Sequence, residues 1–236
     1  MTTRPWNSDA DTPPSVALCL IATGNYDRFV PDVVESARQF FLAGCNVSIL
    51  LFADAEPPDG LVDEWFRIDH EPWPGPTLHR YHHLLTARET LLQHDYVFYV
   101  DVDCRFIGPM GREILSDLTA VIGQSVGSML ADTWNYERRA CSTAKMFRGD
   151  GRFYYIGGFQ GGRSSRYITA MEAMQRNIDQ DAARGVTARW HDESHWNRYL
   201  AHYPPGVSLP PMYCCAENNL MKEAVLLALV KQGPRA

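Results

Sequence analysis

The chain has 236 residues, 45% hydrophobic and 21% charged, with a formal net charge of -6. That balance describes a folded globular chain and excludes a disordered or membrane-embedded one. The acidic excess argues against nucleic acid as a partner, whereas a small phosphorylated ligand needs only a local cation or a metal.

No apolar run is long enough for a transmembrane segment, and residues 1–15 (MTTRPWNSDADTPPS) lack the basic segment and apolar core of a secretory signal. These features point to a cytoplasmic chain with a loose tail over 1–15 and a single domain over 16–236. The six cysteines, Cys19, Cys45, Cys104, Cys141, Cys214 and Cys215, form no CxxC pair and no regular framework. Free thiols in a reducing compartment follow, and the adjacent Cys214 and Cys215 read as small apolar side chains.

The first apolar run, Val16 to Ala22 (VALCLIA), predicts a buried strand. A turn follows at Thr23-Gly24-Asn25, where a glycine lets the backbone approach a ligand, although the dinucleotide G-x-G-x-x-G pattern is absent. Phe29 to Leu42 shows helical spacing through Val33, Val34, Ala37, Phe40 and Phe41, ending near Gly44. Asn46 to Phe52 predicts a second strand and Trp65 to Ile68 a short third, so the order strand, helix, strand points to a layered, parallel α/β arrangement.

Glu71 to Pro76 (EPWPGP) is a stiff connector into a helix expected over Leu78 to Leu92. Arg80 near that helix start is poorly placed for the helix dipole, which favours a partner outside the helix, a carboxylate or a phosphate. Histidines 79, 82 and 83 read as surface side chains, because no third ligand type converges at metal-binding spacing.

Tyr96 to Phe106 (YVFYVDVDCRF) is a run of strand formers that ends in acids. Residues two apart on a strand share a face, so Asp101 and Asp103 are expected side by side with Val102 turned away. Two carboxylates at the carboxyl end of a strand need solvent or a divalent cation shared with a phosphate-bearing ligand. Ile114 to Ile122 suits helix or strand, and residues 131–152, without period but rich in aromatic and charged groups, suit a binding loop.

Phe153 to Gly162 (FYYIGGFQGG) is either a tight turn between strands or a wall where missing side chains let a ring-shaped ligand lie against the backbone. Ser165 to Ala183 predicts a long helix with Ile168, Met171 and Met174 in the core. Trp190 to Tyr203 (WHDESHWNRYLAHY) predicts another that stops before Pro204, capped by Asp192 or Ser194, with Glu193 at its mouth. His191 and His195 are four apart, yet HDESH is not the zinc-protease H-E-x-x-H pattern. LPPMYCC suits a final strand edge, and Glu223 to Val230 a last helical turn or two. Lys222 or Lys231 would reach a phosphate site or remain solvated.

The paired acids, the glycine-aromatic stretch and the acidic helix mouth together suit transfer from a diphosphate-linked donor. A phosphatase or nuclease would require more metal ligands than two and gives no reason for the glycine-aromatic wall.

Four segments carry a sharper resemblance: DVDCRF at 101–106, NYERR at 135–139, FYYIGGFQGG at 153–162 and WHDESHWNRYL at 190–200. In this order and at this spacing they resemble glycosyltransferase family 6, the blood-group A and B transferases, the α-1,3-galactosyltransferases and their microbial relatives. The likeness runs from Val16 to Tyr213. It implies a GT-A fold, an α/β domain whose mixed central sheet is flanked by helices. It also implies a retaining enzyme moving N-acetylgalactosamine or galactose from its uridine diphosphate sugar to the 3-hydroxyl of a galactoside, in the best-known members a fucosylated one.

Carried over by residue, Asp101 and Asp103 would be the manganese (or magnesium) and diphosphate motif, with Val102 between them. Ala22, Thr23 and Tyr26 would border uridine, and Arg80 would contact the donor. Ile156, Gly157 and Gly158 would line the donor sugar's 2-position, where Gly158 leaves room for an N-acetyl group. His191 and Asp192 would hold the donor sugar, and Trp190 and Glu193 would bound the acceptor. Glu193 would be the catalytic carboxylate, as nucleophile or as the charge beside an oxocarbenium-like ion pair. Microbial relatives often carry asparagines at the acid pair. This chain keeps both aspartates, so a soluble, metal-dependent, microbial-type member is expected, the alternative being a non-catalytic carbohydrate-binding protein that keeps the cleft.

Overall fold

The computed structural model describes residues 12–125 and 135–230. Of the expectations above, residues 1–11 of the tail, the beginning of the 131–152 loop and Lys231 lie outside them.

A seven-stranded mixed sheet forms the centre, in the order β3-β2-β1-β4-β7-β6-β8. β1 (Ser15–Ala22) pairs in parallel with β2 (Asn46–Ala53) and β4 (Tyr96–Val100), and β3 (Glu64–Arg67) extends the parallel half. β7 (Tyr155–Arg163) runs antiparallel to both β4 and β6 (Thr119–Ile122), while β8 (Val207–Leu209) closes the far edge.

Alternation along β1 explains the layers. Val16, Leu18, Leu20 and Ala22 face one core with Val30, Val33, Val34 and Ala37 of α1 (Val30–Phe40). Ala17, Cys19 and Ile21 face the other, filled by Tyr81, Met171 and Trp196 of three further helices. A strand buried on both faces reads as a continuous apolar run, which is why VALCLIA shows no polar alternation. This mixed sheet flanked by helices is the expected GT-A-like α/β architecture.

The helix expected over Leu78 to Leu92 is three short pieces, α2 (Gly75–Leu78), α3 (Arg80–Leu85) and α4 (Arg88–Leu91). His79 and Ala87 leave helical geometry between them, and the Thr86 hydroxyl donates back to the His83 carbonyl at 2.7 Å, a side-chain bond that competes with helix continuation. The break turns Arg80, Tyr81 and Leu84 inward.

α5 (Ser164–Ala182) and α6 (His191–His202) match the two long predicted helices. The Glu223–Val230 segment is not helical. Its Leu226–Ala228 portion is β10, which pairs with β5 (Cys104–Phe106) and β9 (Cys215–Ala216) in a small second sheet. A short apolar run has no period of its own, and strand partners decide its state.

FYYIGGFQGG is neither a turn nor uniformly a wall, since nearly all of it is central strand β7. Its two glycine pairs do different jobs. A Cβ at Gly161 would strike the Val97 carbonyl and Phe98, and one at Gly162, whose φ is 152°, would strike the Asp117 backbone, so this pair permits close strand packing. Gly157 and Gly158 lie beyond the end of β4 and open onto a cleft.

Candidate active site

A cleft of about 410 Å³ lies at the carboxyl ends of β1 and β4, beside the start of β7 and the N-terminus of α6. Ligands gather at this edge of a parallel sheet, where strands end and their loops diverge. Thr23, Tyr26, Arg80, Asp101, Val102, Asp103, Gly157, Gly158, Trp190, His191, Asp192 and Glu193 all line it. Ala22 and Ile156 do not, because their side chains turn into the core shared with α1. Ile21 lines the cleft in place of Ala22.

The acid pair reaches the cleft by a different geometry from the one expected. β4 ends at Val100, and the Cys104 N–H donates to the Asp101 carbonyl at 3.0 Å, closing a turn. The strand pleat therefore does not set the two acids side by side. Asp101 stays on the face of Val97 and Tyr99, Val102 drops into the α1 core, and Asp103 is 6% exposed.

Arg80 ties three elements together from the first residue of α3. Its Nη2 donates to Asp101 Oδ1 at 3.1 Å, its Nη1 donates to the Gly157 carbonyl at 2.5 Å, and Nη1 lies 3.2 Å from Asp192 Oδ2. The guanidinium also stacks 4.2 Å from the Tyr99 ring centre, and the Tyr99 hydroxyl donates to Asp101 Oδ1 at 2.8 Å. The partner outside the helix that the Arg80 position called for is thus a pair of carboxylates of the chain itself. Those acids hold the arginine charge firmly, far above its ordinary range.

α6 presents Asp192 and Glu193 in its first turn. Asp192 does not cap the helix. Its fully buried carboxylate points at Arg80 without an aligned hydrogen bond, so the contact is one of charge. Burial pushes its pKa up to about 7 against the pull of Arg80, helped by Glu193 and Asp101. Ser194 does part of the capping, its Oγ accepting the Trp190 N–H at 2.9 Å.

Glu193 is raised by burial too, opposed by two donors, the Tyr154 hydroxyl on Oε1 and the Gly157 N–H on Oε2 at 2.7 Å. The Gly157–Gly158 backbone separates the acids. A Cβ at Gly157 would sit 3.0 Å from Arg80 Nη1 and 3.5 Å from Glu193 Oε2, and one at Gly158 would sit 3.3 Å from Asp101 Oδ2. A side chain at Gly157 or Gly158 would thus crowd these groups.

Sequence reasoning missed Tyr99, Tyr154, His70 and Trp73. Tyr99 and Tyr154 read as ordinary strand aromatics, and only the acids beside them, Asp101 and Glu193, reveal their hydroxyls as donors. His70, bonded through Nδ1 to Thr23 Oγ1 at 3.1 Å, enters the cleft just before the EPWPGP connector, and Trp73 enters from within it.

The other histidines have plainer roles. His79 and His82 pair with Glu71 at 2.6 Å and Asp179 at 2.8 Å. His195 is buried and held neutral, its pKa lowered to about 4 by burial, 3.9 Å from Asp181. Among the described residues no three His, Cys, Asp or Glu side chains form a metal cluster by themselves.

The profile of glycosyltransferase family 6 matches residues 70–233. The chain is 32% identical over 216 residues to the human globoside alpha-1,3-N-acetylgalactosaminyltransferase 1, covering 84% of this chain and 60% of that protein. It is 31% identical over 232 residues to the rat histo-blood group ABO system transferase 1, covering 92% and 67%. The O-antigen biosynthesis glycosyltransferase WbnI of Escherichia coli is 24% identical over 190 residues, covering 78% and 81%. The chain thus spans about 60% of the length of the globoside enzymes it matches. Identity is higher to these animal sequences than to the bacterial one, which does not favour a specifically microbial kinship.

Proposed function

Because the chain belongs to glycosyltransferase family 6, we propose that it is a retaining glycosyltransferase. It moves N-acetylgalactosamine, or galactose, from a uridine diphosphate sugar in α-1,3 linkage onto a galactoside, in the first instance a fucosylated one. The observation that carries this reading is the division of one cleft by Gly157 and Gly158, with Asp101 on one side and Glu193 on the other.

The residues present fit a divalent cation. Asp101 Oδ1 is taken by Arg80 and Tyr99, while Oδ2 faces the hollow that a Gly158 side chain would fill. Asp103 lines the same cleft, and two hard carboxylates suit manganese or magnesium when phosphate oxygens and water complete the shell. Held by Asp101 and Asp103, the ion would neutralise charge on the departing diphosphate.

The chain's own groups do the rest. Thr23 and Tyr26 border the uridine end, with Ala22 behind them. Arg80 fixes Asp101 and Asp192 and adds the positive charge nearest the diphosphate, while His191 and Asp192 hold hydroxyls of the donor sugar. Gly158 leaves space at the sugar's 2-position, which favours the N-acetyl donor, the transfer by which the human relative is named. Trp190, 41% exposed at the mouth, offers a ring to the acceptor. Glu193 stands on the sugar face opposite the leaving group, as nucleophile or as the negative charge that steadies the cationic sugar.

All six cysteines are free, which suits a reducing compartment such as the cytoplasm. No described helix is long and apolar enough to cross a membrane.

A matrix of nucleotide sugars against fucosylated and unfucosylated galactosides, with and without chelator, tests the reading. Transfer from the N-acetylgalactosamine or galactose donor, lost on chelation, is expected. Transfer from uridine diphosphate glucose alone would contradict the donor pocket. Acceptor binding without any product would turn the reading toward a carbohydrate-binding protein.

A further inference from the structure

Tyr154 immediately precedes β7, is 3% exposed, and donates its hydroxyl to Glu193 Oε1. Its place is fixed from both sides. The Tyr136 hydroxyl donates to the Phe153 carbonyl at 2.7 Å, and the Gly123 N–H donates to the Tyr154 carbonyl at 2.9 Å. On the other side the buried Asn197 accepts the Tyr155 N–H at 2.9 Å and donates to the Tyr155 carbonyl at 2.7 Å. The same Asn197 Nδ2 donates to the Glu193 carbonyl at 2.9 Å, so one side chain registers the helix turn carrying the acid against the strand carrying its donor. The Tyr154 ring packs against Tyr136 with centroids 5.6 Å apart.

We propose that Tyr154 is the positioning residue for Glu193: it supplies the side-chain hydrogen bond that orients the carboxylate and favours its charged form. The inference rests on the transferase reading for its effect on turnover, but the hydrogen bond stands apart from it. Gly157 N–H occupies Oε2, so Tyr154 decides which way Oε1 points. The other charged groups facing Glu193 are Arg80, which favours its ionised form, and Asp101, which opposes it, with Asp192 adjacent in the helix. Burial and the carboxylate hold the phenol protonated far above its ordinary range, so it remains a donor wherever the protein is folded.

The test is a carbon-13 NMR titration of glutamate-labelled protein, with the Glu193 carboxyl assigned by its loss in E193Q, alongside steady-state kinetics. In Y154F the Glu193 carboxyl is expected to bind its proton about 10-fold or more tightly. The kcat should fall about 10- to 100-fold with donor KM within about twofold, and the acid limb of the kcat profile should move to higher pH. Site-specific 3-fluorotyrosine at 154, a stronger donor of nearly the same size, is expected to move the carboxyl titration the opposite way, and it keeps the claim open to test should Y154F fold poorly. An unchanged Glu193 titration in both variants, or a kcat for Y154F within about twofold of the parent, would overturn the proposal. A shifted titration in a parent protein that transfers no sugar would support the positioning and overturn the transferase reading.

Discussion

Arg80 Nη1 and Asp192 Oδ2 lie 3.2 Å apart, with side chains 4% and 0% exposed. A buried pair of this kind is weak evidence of net stabilisation, yet removing one partner leaves the other charged in a place water cannot reach. R80M is therefore expected to lower unfolding free energy by about 3–5 kcal/mol at pH 8. The loss should shrink at pH 5, where Asp192 escapes by taking a proton. Urea unfolding at the two pH values measures both numbers, and equal losses at both would contradict the pairing.

The Asp192 carboxyl also gives stability an unusual pH slope. Its folded pKa of about 7 stands above the ordinary 3.8, so between those values the folded state binds the extra proton. Stability from this group is complete below about pH 4 and is lost as pH rises through 7, by on the order of 4 kcal/mol. His195 works the other way, since its pKa of about 4 lies below the ordinary 6.5 and its contribution grows as pH rises between them. The two therefore oppose each other in the whole protein, and the difference between D192N and its parent isolates the first. That difference should move in favour of D192N from pH 4 to 8 in thermal or denaturant unfolding. A flat difference would show that Asp192 ionises normally.

The two glycine pairs are expected to separate specificity from packing. G158A adds a methyl group 3.3 Å from both Asp101 Oδ2 and Cys214 Sγ. It is expected to turn donor preference from N-acetylgalactosamine toward galactose, read as the ratio of kcat/KM for the two donors. G161A, which drives a methyl group into Val97 and Phe98, is expected to cost about 1–3 kcal/mol of stability and leave that ratio unchanged. Interchanged effects would refute the division of labour within FYYIGGFQGG.

The two aspartates should differ under mutation. Asp101 is bound by Arg80 and Tyr99 as well as facing the cleft, so D101N disturbs the network even without metal. D103N is expected to act chiefly on the ion, raising the manganese concentration needed for half-maximal transfer. Titration of activity with manganese in the two variants compares them, and an unaltered metal requirement in D103N would remove Asp103 from the ligand set.

Most of the layered fold could be read from the chain because β1, β2 and β4 are buried on both faces, and α1, α5 and α6 carry a clear apolar stripe. The cleft itself was legible as residue types, since glycines, an acid pair and an acidic helix mouth are visible in one dimension. What the sequence concealed was decided by tertiary partners. The break between α3 and α4 is a local side-chain competition at Thr86, the β10 strand depends on β5 and β9 to receive it, and the acid pair is arranged by a turn that strand periodicity cannot reveal. Tyr154 and Asn197 showed nothing of their hydrogen-bonding roles until the helix and strand were brought together.

Under the proposed function Glu193 and the acid pair act on opposite sides of one sugar, an arrangement expected to fix the stereochemistry of the product. Proton NMR of the new glycosidic linkage formed from uridine diphosphate N-acetylgalactosamine and a fucosylated galactoside reads it directly. An α linkage at the 3-hydroxyl, absent with E193Q, is the predicted result, and a β linkage, or undiminished α product from E193Q, would contradict it.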